Sequence, residues 1–141
     1  MTTLQMIEGF RSGVVAEGGT SILCPTLVFR SWLELLAFLP TAFLNALLAP
    51  WPTGWFGSSN VGVLKLISGA EVLAITLLLP SIVLGLLEVR RRALETSVLL
   101  VGFIGIYLLG VGLLMPNAGT LFRSRLPAIP VLLVLAFSRL K

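Results

Sequence analysis

The chemistry-bearing residues of this chain concentrate in one short string, MPNAGTLFRSRLPAIP at 115–130. It carries Asn117, Arg123 and Arg125 between two apolar runs, and the arginines stand seven and nine residues after Pro116. A guanidinium is planar and presents a fork of donors that matches the oxygens of a phosphate or a carboxylate. Asn117, Arg123 and Arg125 together therefore make a candidate site for an anionic headgroup. The alternative partner is an acid of the chain itself, and Glu71 is the natural one. It lies inside an apolar run, where a lone carboxylate would cost several kcal/mol or stay protonated. A contact from Glu71 to Arg123 or Arg125 is expected. The competing expectation is that both arginines bind lipid phosphate at the interface.

Few other residues offer reactive chemistry. The 141-residue chain has six glutamates (Glu8, Glu17, Glu34, Glu71, Glu88 and Glu95), with no histidine and no aspartate. The usual ligands of zinc, haem iron or a di-metal centre are missing. So are the partners for a Ser-His-Asp or Cys-His pair. No catalytic residue, metal site or cofactor is expected. One cysteine, Cys24, excludes an intrachain disulfide and reads as a small apolar residue.

Composition indicates the framework that holds these residues. Hydrophobic residues make up 57% of the chain and charged residues 11%, with a mean hydropathy of +1.04. Ordinary soluble domains carry about 25% charged residues. The pattern predicts an all-α integral membrane protein. Its net charge of +4 falls mainly at the ends of apolar runs, which is the distribution of the positive-inside rule rather than of a nucleic-acid face. No nucleic-acid partner is expected.

Residues 1–31 read as a surface lead-in, amphipathic or irregular, with no apolar core of a cleavable leader and no myristoylation signal. A membrane bundle over 32–141 comes next, with about four spans at 32–50, 66–87, 97–115 and 126–138. In the first, Glu34, Thr41 and Asn45 recur at steps of seven and four. They share a helical face that should point at protein. At about 19 residues this run either spans or re-enters. Trp51, Trp55 and Phe56 fit an aromatic belt, with Trp32 at the opposite boundary. The third run holds Gly102, Gly105, Gly110 and Gly112, small enough for a neighbouring helix to approach. The last, at about 13 residues, reaches only about 20 Å as a helix.

EVRRRALE at 88–95 sets the orientation. As a cytoplasmic loop it places both termini in the cytoplasm. Arg11, Arg30, Arg90, Arg91, Arg92, Arg139 and Lys141 then lie inside, against Lys65, Arg123 and Arg125 outside. Within the loop, Glu88 to Arg92 and Arg91 to Glu95 have the spacing of helical ion pairs. Outside, PNAGTLFRSR reads as a hairpin: Pro116 and Asn117 stop the third helix, and Gly119 supplies the turn.

Three strings also resemble a known group. FLPTAFLNALLAPWPTGW, the acid Glu71 in the next run, and NAGTLFRSRLPAIPVLLVLA are similar to the C-terminal membrane portion of large multi-spanning bacterial proteins. Those proteins accompany exopolysaccharide and cell-envelope genes and resemble lipid-sugar-dependent glycosyltransferases. The resemblance covers residues 30–137. Its most specific part is Asn117, Gly119, Thr120, Arg123, Arg125 and Pro127. It implies a multi-pass protein of the bacterial inner membrane and a lipid-linked sugar phosphate as ligand. Glycosyltransferases of that kind also use an acid in an early extracytoplasmic loop and many more helices. None of the six glutamates falls in an outside loop on the four-span topology, so the resemblance implies a detached module rather than a complete enzyme.

Three functions are open on these residues. The first is a non-catalytic membrane subunit packed within a larger complex, such as an accessory subunit of an energy-transducing or photosynthetic assembly, with membrane lipids and other subunits as partners. The second is an envelope-polysaccharide module that binds a lipid-linked sugar phosphate. The third is a small transporter or channel built around Glu34 and Glu71.

Overall fold

The computed structural model describes residues 2–16, 22–24, 26–51 and 62–138. Most of the loop expected over 51–65, with Trp55 and Phe56, lies outside the described residues, although its end from Gly62 is already the start of a helix; Glu17, the basic end at Arg139 and Lys141, and the side chain of Lys65 lie outside them too.

Local sequence chemistry explains where the helices start and stop. The elements are α1 (Thr3–Ala16), α2 (Trp32–Leu48), α3 (Gly62–Arg92), α4 (Leu94–Leu114), α5 (Ala118–Ser124) and α6 (Ala128–Phe137). Ser31 caps α2 by accepting the Glu34 amide, and the Glu34 carboxylate reaches back to accept the Arg30 amide at 2.7 Å. This reciprocal arrangement satisfies donors that the first helical turn leaves free. α4 ends just before Pro116, which cannot continue a helix. Asn117 then caps α5, its Oδ1 accepting the Gly119 amide at 2.9 Å.

α2 packs chiefly on α4, and α3 chiefly on α6, with α3 against α4 joining the two pairs. Glu71 meets Arg125 near the start of α6, and Gly85 meets Leu135 further along, so α3 and α6 run in the same direction. Ile75, Ile82, Leu108, Leu121 and Leu132 belong to the shared core. Two glycines set the closest approaches. A Cβ on Gly112 would lie 2.6 Å from the Ala42 carbonyl carbon, and one on Gly85 would lie 2.7 Å from that of Leu135. Gly102, Gly105 and Gly110 have open space at the same position. Of the four glycines read from the third run, one therefore makes a helix crossing, and Gly85 makes the other.

Large apolar side chains cover the outside: Leu33 is 78% exposed, Ile106 76%, Leu99 72% and Leu77 71%. Such a surface is at home in lipid rather than in water. Two helices are long and apolar enough to cross a membrane, at Leu66–Arg92 and Leu94–Leu114. The bent pair α5 and α6, at 60°, makes a third if it acts as one span.

The architecture departs from the four-span expectation in specific places. The 32–50 run yields the 17-residue α2, about 25 Å long and shorter than the roughly 30 Å hydrocarbon core. The 126–138 run yields α6, 10 residues long and broken from α5 by Arg125–Pro127. PNAGTLFRSR forms a helical turn rather than a hairpin, because Asn117 caps it and Gly119 lies in its first turn. The segment 88–95 is helical apart from Ala93. Arginine is a good helix former, and Glu88 holds Arg92 at 2.7 Å, so α3 runs on to Arg92. The break at Ala93 (φ −150°, ψ 87°) takes Arg91 and Glu95 off a common helical face.

Substituting leucine for Gly112 or Gly85 should force the helix pairs apart. Overpacking of this kind costs about 1–3 kcal/mol or more. Gly105→Ala, which meets open space inside α4, should not destabilise and should gain up to about 1 kcal/mol. Unfolding in mixed micelles titrated with SDS measures all three.

Candidate functional site

α2 ends at Leu48 inside the bundle, and its last carbonyls have no helical partner. Arg125, at the bend between α5 and α6, fills that need. Its Nη1 donates to the Leu47 carbonyl at 2.8 Å and its Nη2 to the Ala49 carbonyl. The side chain is fully buried. On its third side, Nε lies 3.6 Å from Glu71 Oε1. One guanidinium thus joins the end of α2, the first third of α3 and the α5–α6 bend. The positive charge also complements the negative end of the α2 dipole.

The node has polar neighbours. Ser68 lies one turn before Glu71 on the same face of α3 and is buried. The Tyr107 hydroxyl donates to the Ser124 carbonyl at 2.5 Å, tying α4 to the turn just before Arg125. Asn45, also buried, accepts the indole N–H of Trp51 at 3.0 Å.

A second buried arginine does similar work at the other end of the chain. Arg11 of α1 donates Nη1 to the Leu113 carbonyl at 3.2 Å and Nη2 to the Cys24 carbonyl at 3.4 Å. Its guanidinium lies 5.5 Å from the Phe29 ring centroid and 5.6 Å from that of Phe38. Burial pulls the Arg11 guanidinium below the ordinary arginine value, while Glu8 and then Cys24 push it back. The Ile22–Asn117 bridge and the Phe29 amide donating to Glu8 at 3.1 Å complete the docking of the N-terminal segment.

The sequence-predicted site residues divide. Arg125 and Glu71 come together; Arg123, two residues earlier, is exposed. Asn117 is spent on capping α5. Arg125 is buried and Arg123 exposed, two residues or about 200° apart around a helical turn, so the structure does not bring the two guanidiniums together. The shared face of α2 also divides: Asn45 is buried, whereas Thr41 and Glu34 are exposed and Glu34 serves its own helix start. Sequence reasoning missed the role of Arg11. A lone arginine in the lead-in, with Phe29 and Phe38 ahead, is a faint signal for it. The carbonyl partners of both arginines carry no side-chain signature at all.

No protein family model, curated protein or solved structure matches this chain.

Arg125→Ala should cost about 3–5 kcal/mol, since it strands a partly buried carboxylate and two helix-end carbonyls together. Glu71→Gln should cost less, because Arg125 keeps both carbonyls, and Arg123→Gln should lie within about 0.5 kcal/mol of the parent. Equilibrium unfolding in bicelles ranks them, and equal losses at Arg123 and Arg125 would contradict a node centred on Arg125.

Proposed function

We propose that this chain is a non-catalytic integral membrane subunit that packs within a larger membrane complex. One observation carries the reading: its two buried arginines hold its own helices together, while its outer faces are apolar. Arg125, Arg11, Asn117 and Asn45 are each committed to an internal partner. The sequence, with no histidine and no aspartate, supplies few groups for proton transfer or metal ligation. A small bundle with short helices gains stability from neighbours that cover them, and α2 is such a helix. Membrane lipids and other membrane subunits are the partners of this reading, with no nucleic acid.

The orientation that the arginines of 90–92 favour has α3 entering from the outer face, α4 returning to it and the α5–α6 pair crossing back parallel to α3, with the C-terminus in the cytoplasm. Arg11 on the Leu113 carbonyl and the Ile22–Asn117 bridge hold the N-terminal segment at the same end of α4 as α5, so in this orientation that segment lies at the outer face and not, as the charge count alone suggests, in the cytoplasm. The setting is the bacterial inner membrane. The lipid-linked sugar phosphate reading is weaker, since it needs Asn117, Arg123 and Arg125 on one ligand. A transporter built on Glu34 and Glu71 is weaker too, because one caps α2 and the other pairs with Arg125.

Two measurements test these statements. On a Cys24→Ala background, Arg91→Cys and Arg123→Cys should react with an impermeant maleimide from opposite faces of sealed vesicles, as a spanning α4 requires. Labelling from one face would end the topology. A photo-crosslinker at Ile106 should give one defined adduct in the native membrane, retained at fixed stoichiometry through two mild detergents. A folded, monodisperse 15.1 kDa chain without such an adduct would overturn the subunit reading.

A further inference from the structure

α3 is 31 residues long, about 46 Å, and so exceeds a hydrocarbon core of about 30 Å. Its C-terminal end must therefore tilt or rise into the headgroup layer. Three arginines stand there, and they are not equivalent. Arg92 is held by Glu88 through the 2.7 Å pair. Arg90 and Arg91 are exposed, with no ion pair among the described residues.

The surface below them is equally specific. Leu73, Leu77, Leu84 and Leu87 are 50%, 71%, 44% and 46% exposed. Their steps of four, seven and three, with four more to Arg91, put them on one helical face. α6 covers a different face of the same helix, where Gly85 and Ile82 are buried. From Leu77 to Arg91 the stripe rises about 21 Å, which is close to one leaflet including its headgroups. α4 begins immediately after the break, with Leu94 60% exposed and Val98 62%. The arginines thus sit at a boundary with open apolar surface on both helices.

We propose that the outer face of α3 binds an anionic phospholipid, its phosphate on Arg90 and Arg91 and an acyl chain along Leu87, Leu84 and Leu77. The guanidinium forks match phosphate oxygens, and the stripe supplies the length an acyl chain needs. The site differs from the one that Asn117, Arg123 and Arg125 would make: it lies at the opposite end of α4. The proposal rests on the chain being a membrane protein and does not depend on the subunit reading.

Native mass spectrometry of the full chain, titrated with phosphatidylglycerol and phosphatidylcholine, provides the test. The parent chain should retain phosphatidylglycerol in preference, and added salt should weaken that preference. Arg90→Gln with Arg91→Gln should reduce the preference by roughly thirtyfold, from the contribution expected of two basic residues near an anionic surface. Arg123→Gln should leave it unchanged, and Arg90→Lys with Arg91→Lys should retain most of it. Equal retention of the two lipids by the parent chain would overturn the proposal, whatever the variants do. So would a preference that survives Arg90→Gln with Arg91→Gln, or one lost at Arg123→Gln. Helical circular dichroism of each variant identifies any loss of fold, and the parent comparison then decides alone.

Discussion

A helix that stops inside a low-dielectric bundle leaves carbonyls that water cannot reach, and each such group is costly if left alone. α2 stops in this way, and the carbonyls of Leu47 and Ala49 are answered by Arg125. Burying the guanidinium for that purpose creates a second problem, an uncompensated charge, and Glu71 on α3 answers it at 3.6 Å. The solution to one end of one helix thereby ties two helices and a bend together. Tyr107 adds α4 through the Ser124 carbonyl. The arrangement of the core depends on this chain of obligations more than on any single apolar contact.

Arginine suits the task for geometric reasons. Its two Nη groups reach two carbonyls at once while Nε remains for a carboxylate, which a lysine ammonium cannot do with fixed geometry. The same device recurs at Arg11, which answers the Leu113 carbonyl near the end of α4 and stacks beside Phe29 and Phe38. Both buried arginines work on backbone, and both are thereby removed from external chemistry. Among the described residues, the arginines left exposed and without an ion pair are Arg30, Arg90, Arg91 and Arg123.

Close packing supplies the rest. Inside a membrane, helices gain little from burying apolar side chains, since lipid is equally apolar; contact distance and hydrogen bonds decide association. Gly112 lets α4 meet the Ala42 backbone, and Gly85 lets α3 meet that of Leu135. These two crossings define the α2–α4 and α3–α6 pairs. The outward faces, free of such constraints, carry leucine, valine and isoleucine, and are available to lipid or to neighbouring subunits.

Features set by local chemistry are legible in the residues alone: an all-helical apolar chain, a stop at Pro116, a cap at Asn117, and the Glu88–Arg92 pair. These depend on residues within one or two turns of each other. An arginine partner for Glu71 is legible too, because an acid within an apolar run needs one. Which arginine it takes is not, since Arg123 and Arg125 differ by two residues, or about 200° around a helical turn. Arg125 faces inward because of how α5 is seated against the end of α2, and that seating exists only in the folded bundle. The selection of Gly85 and Gly112 over Gly102, Gly105 and Gly110 has the same origin. A glycine permits close approach anywhere, but the crossing point is fixed by the partner helix, which lies far away in the chain.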